Sequence, residues 1–345
     1  TDLLGKAYMY LLKQFASGAG KKAGEFFTPE NLSKLIAKLA MPKPGDRICD
    51  PACGSGSLLL MVGDEVGGNN FSLYGQEKIG STYNLARMNM YIHHQEQATI
   101  EWGDTLNNPL LKDENGLRKF EVVVANPPFS LDKWGSDSLA SDEYNRFHRG
   151  MPPRSVGDYA FISHMVEVAK DRVGRVVVIV PHGVLFRGRS EAVIRKALIE
   201  ENLLDAVIGL PAGLFQTTGI PVAVLVFDKS RQIGGANENR RDIVFIDASR
   251  EYTAGKAQNE INDEHINKIV SAYKERKEVE KYSHIADIDE VRDNDYNLNI
   301  PRYVDTFEEE EQVDMKQVAE NIEKLERELE TVKIEMKKCL LELDI

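Results

Sequence analysis

The sequence predicts an α/β protein: a mostly parallel sheet covered by helices on both faces, with an antiparallel edge hairpin and helical appendages at the N- and C-terminal ends. Three observations predict this. The runs Val122-Val123-Val124 and Val176-Val177-Val178 are apolar at every position, as in strands buried on both faces. Such runs alternate along the chain with segments of helical period. One strand leads through a glycine-rich turn directly into a helix, the opening unit of a doubly wound sheet.

Residues 3–15 place Leu4, Ala7, Tyr8, Leu11, Leu12 and Phe15 at helical spacing, which gives one amphipathic helix. Residues 17–24 are a glycine-rich, flexible connector. Thr28 stands where it can cap the next helix, with Pro29 at the first helical position. That helix continues through Leu32, Leu35, Ile36 and Leu39. Residues 46–50 form a short strand, residues 51–57 a turn holding Gly54 and Gly56, and residues 58–62 open a helix. The two glycines let the backbone bend tightly and approach a ligand. Leu59 stands where the dinucleotide pattern has its third glycine, so the loop suits a ligand without a pyrophosphate better than NAD. Residues 71–77 form a second strand. It ends in Glu77, about 20 residues past the loop, where the Rossmann pattern places a partner for ribose hydroxyls.

Residues 81–94 are helical and residues 99–102 form a third strand. Asp104, just beyond it, either receives an adenine amino group or caps a turn. The fourth strand delivers Asn126-Pro127-Pro128-Phe129. Prolines lack the N–H and fix φ, so the strand stops there. Asn126 thus lies at the carboxyl end of a central strand, where open α/β sheets place their ligands. Its amide oxygen and the Pro127 carbonyl offer two acceptors, and Phe129 offers a flat apolar face. That set suits a planar group bearing –NH2, such as an adenine lifted out of a duplex. As a local signal alone, Asn126 is equally a turn former.

Residues 130–157 lack periodicity and mix Lys133, Arg146, Arg149 and Arg154 with acids, glycines and prolines; a loop of that length is functional or disordered. Residues 158–170 are helical, residues 175–180 a buried strand, and residues 191–200 helical. Residues 203–210 and 222–228 are strands joined without a helix, hence an antiparallel pair at the sheet edge. Residues 243–247 add a further strand. Beyond Arg250 the chain turns polar, with a helix over residues 263–281 and an ordered linker over 295–303. In the tail, Val318, Ile322, Leu325, Leu329, Val332, Met336, Cys339 and Leu343 alternate spacings of 4 and 3. This is a heptad seam for a partner helix, with packing on its own domain as the alternative.

The formal net charge of −12 argues against a protein that grips nucleic acid unaided. The charge is uneven: residues 305–345 hold 14 Asp/Glu against 6 Lys/Arg, so most of the acidic excess sits in the tail. Cys49, Cys53 and Cys339 show no metal or disulfide spacing, and the seven histidines form no ligand constellation, so no metal is expected. With no run of 18 apolar residues and no signal peptide, the expectation is a cytoplasmic protein without a membrane partner.

Phe27-Thr28-Pro29, Asp50 to Ser57 (Asp-Pro-Ala-Cys-Gly-Ser-Gly-Ser), Glu77, Asp104 and Asn126-Pro127-Pro128-Phe129 occur in that order. The series resembles the amino-methylating DNA methyltransferases in which the cofactor motif precedes the catalytic one. Residues 24–29, 220–228 and 296–303 resemble more narrowly the modification subunit of type I restriction-modification systems. The resemblance implies a Rossmann-like S-adenosylmethionine-dependent methyltransferase sheet that makes N6-methyladenine in double-stranded DNA. By it, Asn126, Pro127, Pro128 and Phe129 are catalytic. Phe27, Thr28 and Pro29 line the methionine end of S-adenosylmethionine, Asp50, Ala52, Gly54, Gly56 and Ser57 form the loop beneath it, Glu77 holds the ribose and Asp104 the adenine. It further implies a DNA-specificity subunit bound through the C-terminal helix, a second modification subunit, and a restriction/translocase subunit. Residues 1–23 would be the last helix of a truncated helical domain, 24–250 the catalytic domain, 251–304 a helical linker region, and 305–345 the acidic assembly helix.

The residues supply a chemical rationale. An exocyclic amine is a poor nucleophile because its lone pair is drawn into the ring. Hydrogen bonds from its N–H groups to Asn126 and the Pro127 carbonyl would pull the nitrogen towards tetrahedral geometry and free that pair, which needs orientation and no shifted general base. A glutamine or RNA amino-methyltransferase would use the same motif, and a catalytically inactive assembly subunit would keep only its shell. The long loop, the extra residues beyond the sheet and the heptad tail favour DNA; intact Asn126, Pro127, Phe129 and Glu77 oppose inactivity.

Overall fold

In the computed structural model, described residues are 5, 7–11, 28–137, 139, 142–215, 218–255, 258–306 and 315–342. The helices and strands follow in chain order: α1 (Glu30–Ala40), β1 (Arg47–Asp50), α2 (Ser57–Glu65), β2 (Ser72–Glu77), α3 (Gly80–Ile92), β3 (Thr99–Trp102), the small hairpin β4 (Lys112–Asp113) and β5 (Gly116–Leu117), and β6 (Val122–Ala125). There follow α4 (Asp158–Val168), β7 (Arg175–Pro181), α5 (Gly183–Phe186), α6 (Ser190–Glu200), β8 (Leu204–Gly209), β9 (Val222–Asp228), β10 (Ile243–Asp247), α7 (Asp263–Glu275), β11 (Ser283–Ala286), α8 (Ile288–Asp293) and α9 (Met315–Glu342). Residues 5 and 7–11 are helical, and the Tyr8 hydroxyl donates to the Leu85 carbonyl at 3.2 Å.

Nine strands form one sheet in the order β11-β10-β8-β9-β7-β6-β1-β2-β3. β1, β2, β3, β6 and β7 run parallel, as do β8 and β10. The order turns at β1, whose Ile48 pairs with Leu73 of β2 on one side and Val122 of β6 on the other. Period-two alternation divides the β-branched runs between two cores. Val122, Val124, Val177 and Ile179 pack with Leu35 of α1 and Leu59 of α2. Val123, Val176, Val178 and Val180 pack with Ile162 of α4 and Ile194 of α6. Both faces of the sheet are covered, which is why its central strands read as unbroken apolar runs.

The hairpin is antiparallel, but it does not form the edge. β9 lies between β7 and β8, antiparallel to both, and β10 and β11 extend the sheet beyond them. All seven residues of β9 are buried, so its apolar run Val222 to Phe227 needs neighbours on both sides. The helix expected over 263–281 ends at Glu275, where Arg276 takes φ +46°, and the chain turns into β11. Residues 251–304 therefore join the sheet and its cover: Tyr303 stacks on Phe245 of β10 with ring centroids 3.7 Å apart.

The chain divides into two compact units, residues 1–305 and 306–345. In the second, α9 runs for 28 residues, about 42 Å at 1.5 Å per residue. Ile322, Leu325, Leu329, Val332 and Met336 of the seam are exposed on it. Val318 and Cys339 lie within the helix, and Leu343 lies outside the described residues. Among the described residues, no helix is long and apolar enough to cross a membrane, and no cluster of His, Cys, Asp or Glu could hold a metal ion.

Candidate active site

The parallel strands aim their carboxyl ends at one edge of the sheet, and the expected site residues gather there. Asp50 ends β1, Glu77 ends β2, Asp104 follows β3 and Asn126 follows β6. The loop between β1 and α2 is shaped by glycine. Gly54 has φ +55° and Gly56 φ +77°, where other residues are strained. A Cβ on Gly56 would also lie 2.6 Å from the Met90 methyl of α3. The loop is anchored by Glu77, whose Oε2 accepts from the Gly54 N–H at 3.0 Å while Oε1 accepts from the Ile79 N–H at 2.7 Å. Ala52 N donates to Asp50 Oδ1 at 2.9 Å, and the Ser55 and Ser57 hydroxyls lie 3.2 Å apart.

Burial dominates the electrostatics here. It pushes the Asp50 carboxyl up to about 8, against the Ala52 N–H and with help from the charge of Glu77. Glu77 is also raised by burial, although the N–H groups of Ile79, Gly54 and Lys78 oppose the shift. Burial holds these two carboxyls towards their neutral forms, and a cationic ligand beside them would favour their ionisation. A carboxylate offers about four lone-pair positions, so Glu77 keeps acceptor capacity for hydroxyl donors after its two backbone bonds.

Asp104 caps its turn. Oδ1 accepts from Leu106 N and Asn107 N, and Oδ2 from Asn107 Nδ2 at 3.0 Å and the Lys78 ammonium at 2.8 Å. Burial raises its pKa, but Lys78 and Asn107 outweigh that and hold it below the usual carboxylate range. Lys78 is 67% exposed, so its contact can yield to another donor.

Asn126 meets a residue 98 positions away: its Nδ2 donates to Thr28 Oγ1 at 3.2 Å. The Thr28 hydroxyl is thus committed to Asn126 and does not cap α1; Pro29 occupies the N-cap position and Glu30 opens the helix. Asn126 Oδ1 is buried with no hydrogen-bond partner. Among the described residues no backbone N–H donates to the Pro127 carbonyl either. An unpaired buried acceptor costs about 1–3 kcal/mol, so a native site holding one at a strand end is set for a donor. Phe129 is half-buried and meets the edge of Phe215, centroids 5.8 Å apart and planes at 87°. Phe27 lies outside the described residues.

Several side chains near the motif gave no sequence signal. Ser130 N donates to Asp158 Oδ1 at 2.7 Å, Arg187 Nη2 donates to Asp158 Oδ2 at 2.6 Å, and Arg187 Nε lies 3.3 Å from Glu191 Oε2. This chain of contacts, with Asp158 and Glu191 buried, fixes the backbone just past Phe129 to α4 and α6. Burial pushes Glu191 up to about 7, with Arg187 opposing. Asp158 was legible only as a helix start, and Phe215 sits in an irregular loop where no periodicity marks it.

The model of the family described as N-6 DNA Methylase matches residues 1–312. This chain belongs to that family. The Type I restriction enzyme MpnII methylase subunit of Mycoplasma pneumoniae is 36% identical, over 100% of this chain and 64% of that protein. The MjaVIII methylase subunit of Methanocaldococcus jannaschii is 38% identical, over 95% of this chain and 57% of that one. Among solved structures, the methyltransferase subunit of a type I restriction-modification system from Streptococcus thermophilus superposes with a TM-score of 0.82 at 44% identity, covering 89% of this chain and 64% of that one. The chain thus spans about three-fifths of these relatives. The N-6 DNA methylase match includes both the glycine loop and the Asn126 motif, so the family and the geometry concern the same edge of the sheet.

Proposed function

We propose that this chain is the catalytic part of a type I modification subunit, a site-specific DNA methyltransferase that methylates adenine N6 with S-adenosylmethionine. The observation that carries the reading is the buried, unpartnered Oδ1 of Asn126 beside the Pro127 carbonyl, at the carboxyl edge of a doubly wound sheet. An exocyclic amine has two N–H donors, and these two acceptors can take both. Accepting them draws the amine nitrogen out of conjugation, and Asn126 is held ready for this by its bond to Thr28. Phe129 offers the face for an extruded base, a contact worth roughly 1–3 kcal/mol.

The donor set fits the cofactor. Glu77 would take the ribose hydroxyls, the loop of Asp50, Ala52, Gly54, Gly56 and Ser57 would underlie the methionine portion, Phe27, Thr28 and Pro29 would close its far end, and Asp104 would take the adenine amino group once Lys78 yields. When bound, S-adenosylmethionine supplies an electrophilic methyl on a positively charged sulfur, and the raised carboxyls of Asp50 and Glu77 suit that charge. We further propose that α9 joins a DNA-specificity subunit, within a complex holding a second modification subunit and a restriction/translocase subunit on double-stranded DNA. Its site of action would be the cytoplasm.

Asn126→Ala tests the assignment. Methyl transfer to adenine in a cognate duplex should fall by at least about 10²-fold, as when a single transition-state hydrogen-bonding group is removed, while S-adenosylmethionine binds with near-normal affinity. Transfer within about tenfold of wild type would remove Asn126 from the chemistry.

A further inference from the structure

The turn after β3 is clamped from two sides. Its N–H groups converge on a carboxylate: Leu106 N and Asn107 N donate to Asp104 Oδ1 at 3.0 and 3.2 Å. The carbonyl ends of the same two peptide groups meet one guanidinium, with Arg146 Nη1 donating to Thr105 O at 3.1 Å and Nη2 to Leu106 O at 2.7 Å. The peptides Thr105–Leu106 and Leu106–Asn107 are each held between Asp104 and Arg146. Hydrogen bonds in such a chain polarise one another, so the position of one end is felt at the other.

Arg146 lies 40 residues downstream of Leu106, in the segment that follows the Asn126 motif, and is 1% exposed. Its other donors are also used. Nε reaches Asp142 at 3.1 Å, Nη2 reaches Asp142 Oδ1 at 2.8 Å, and Nη1 lies 3.2 Å from His164 Nδ1. Burial, then the Arg146 charge, pushes His164 down to about 3, so the ring is neutral and its Nδ1 accepts. Every arm of a planar five-donor fork is spent, and two of them go to backbone carbonyls of one turn. A lysine ammonium on a flexible stem cannot hold both carbonyls and Asp142 in that plane.

We propose that Arg146 is a positioning residue for the cofactor: by fixing the carbonyl side of the Asp104–Asn107 turn it aims the Asp104 carboxylate at the adenine amino group. The segment after the catalytic motif thereby becomes a determinant of cofactor affinity and of adenine over other purines. This rests on the reading of Asp104 as the adenine partner.

The test uses the full chain and calorimetric titration with two probes, S-adenosylhomocysteine and its inosine analogue, which lacks the amino group. Wild type should prefer the adenosine compound, and Asp104→Ala should lose that preference. Arg146→Lys should weaken the adenosine compound by about tenfold and narrow the preference, and should add little in the Asp104→Ala background. At saturating S-adenosylmethionine its methylation rate should stay within about threefold of wild type, so the change appears in KM and not in kcat. Asp142→Asn, which loosens the guanidinium without removing it, should act in the same direction and decides the matter if Arg146→Lys does not fold. Unchanged affinity, equal loss for both probes, or full additivity with Asp104→Ala overturns the proposal. If wild type shows no preference, or Asp104→Ala binds normally, the Asp104 reading fails first, visibly and without any change at Arg146.

Discussion

Glu77 combines two tasks that mutation must separate. Its carboxylate ends β2 where ribose hydroxyls would be met, and it also pins the glycine loop through the Gly54 N–H. Removing the whole group leaves two poorly hydrated N–H groups, those of Gly54 and Ile79, each costing about 1–3 kcal/mol if unpaired. Glu77→Ala should therefore lower the melting temperature as well as weaken S-adenosylmethionine. Glu77→Gln keeps one acceptor in place and isolates the charge. It should weaken cofactor binding by about tenfold or more with a smaller loss of stability, read by calorimetry beside thermal unfolding. An unchanged dissociation constant in Glu77→Gln together with Glu77→Ala would take the ribose role away from this residue.

The strands are locked at their other ends by a charge network far from the chemistry. Asp205 of β8 is fully buried and accepts from Arg231 Nη1 at 2.7 Å, Arg276 Nη1 at 2.9 Å and the Tyr273 hydroxyl. Arg175 of β7 donates to Tyr273, to the last turn of α1 through Leu39 O at 2.8 Å, and reaches Asp228 of β9. Burial raises the Asp205 pKa, but Arg276, Arg231 and Arg175 outweigh it and hold the carboxyl below its ordinary range. The network ties β7, β8, β9, α1 and α7 at the edge opposite Asn126. Asp205→Ala strands buried guanidinium charge, so it should cost about 3–5 kcal/mol in urea unfolding. Below the transition, methylation should persist, because no residue of the candidate site belongs to the network. A loss under about 1 kcal/mol would mean the arginines find other partners.

At the scale of the whole molecule the question is what α9 meets. Five seam residues stand exposed on this 28-residue helix, and the tail, residues 305–345, carries most of a net charge of −12. Such a chain needs a more basic partner to hold a polyanion, and a heptad seam offers the way to bind one. Deleting residues 312–345 should abolish co-purification with a specificity subunit and with it sequence-specific methylation, while S-adenosylmethionine still binds. Assembly that survives the deletion rules the partner role out. Lost cofactor binding would instead make the tail part of its own catalytic unit.

Wherever the controlling physics is local, the sequence was sufficient. Gly54 and Gly56 announce positive φ, Pro127 and Pro128 stop a strand, and unbroken valines mark strands covered on both faces; Asp50, Glu77, Asp104 and Asn126 then fall at one sheet edge because parallel strands share a direction. What only the tertiary structure decided is which distant segments meet. Thr28 spends its hydroxyl on Asn126 and not on α1, β9 slides between β7 and β8 instead of forming the edge, and β11 emerges where a helix was expected to continue. Arg146 finds two carbonyls across 40 residues. Periodicity records whether a residue is buried, not against what, and partners for buried polar groups and strands are settled only when the competing pairings are compared within one packed core.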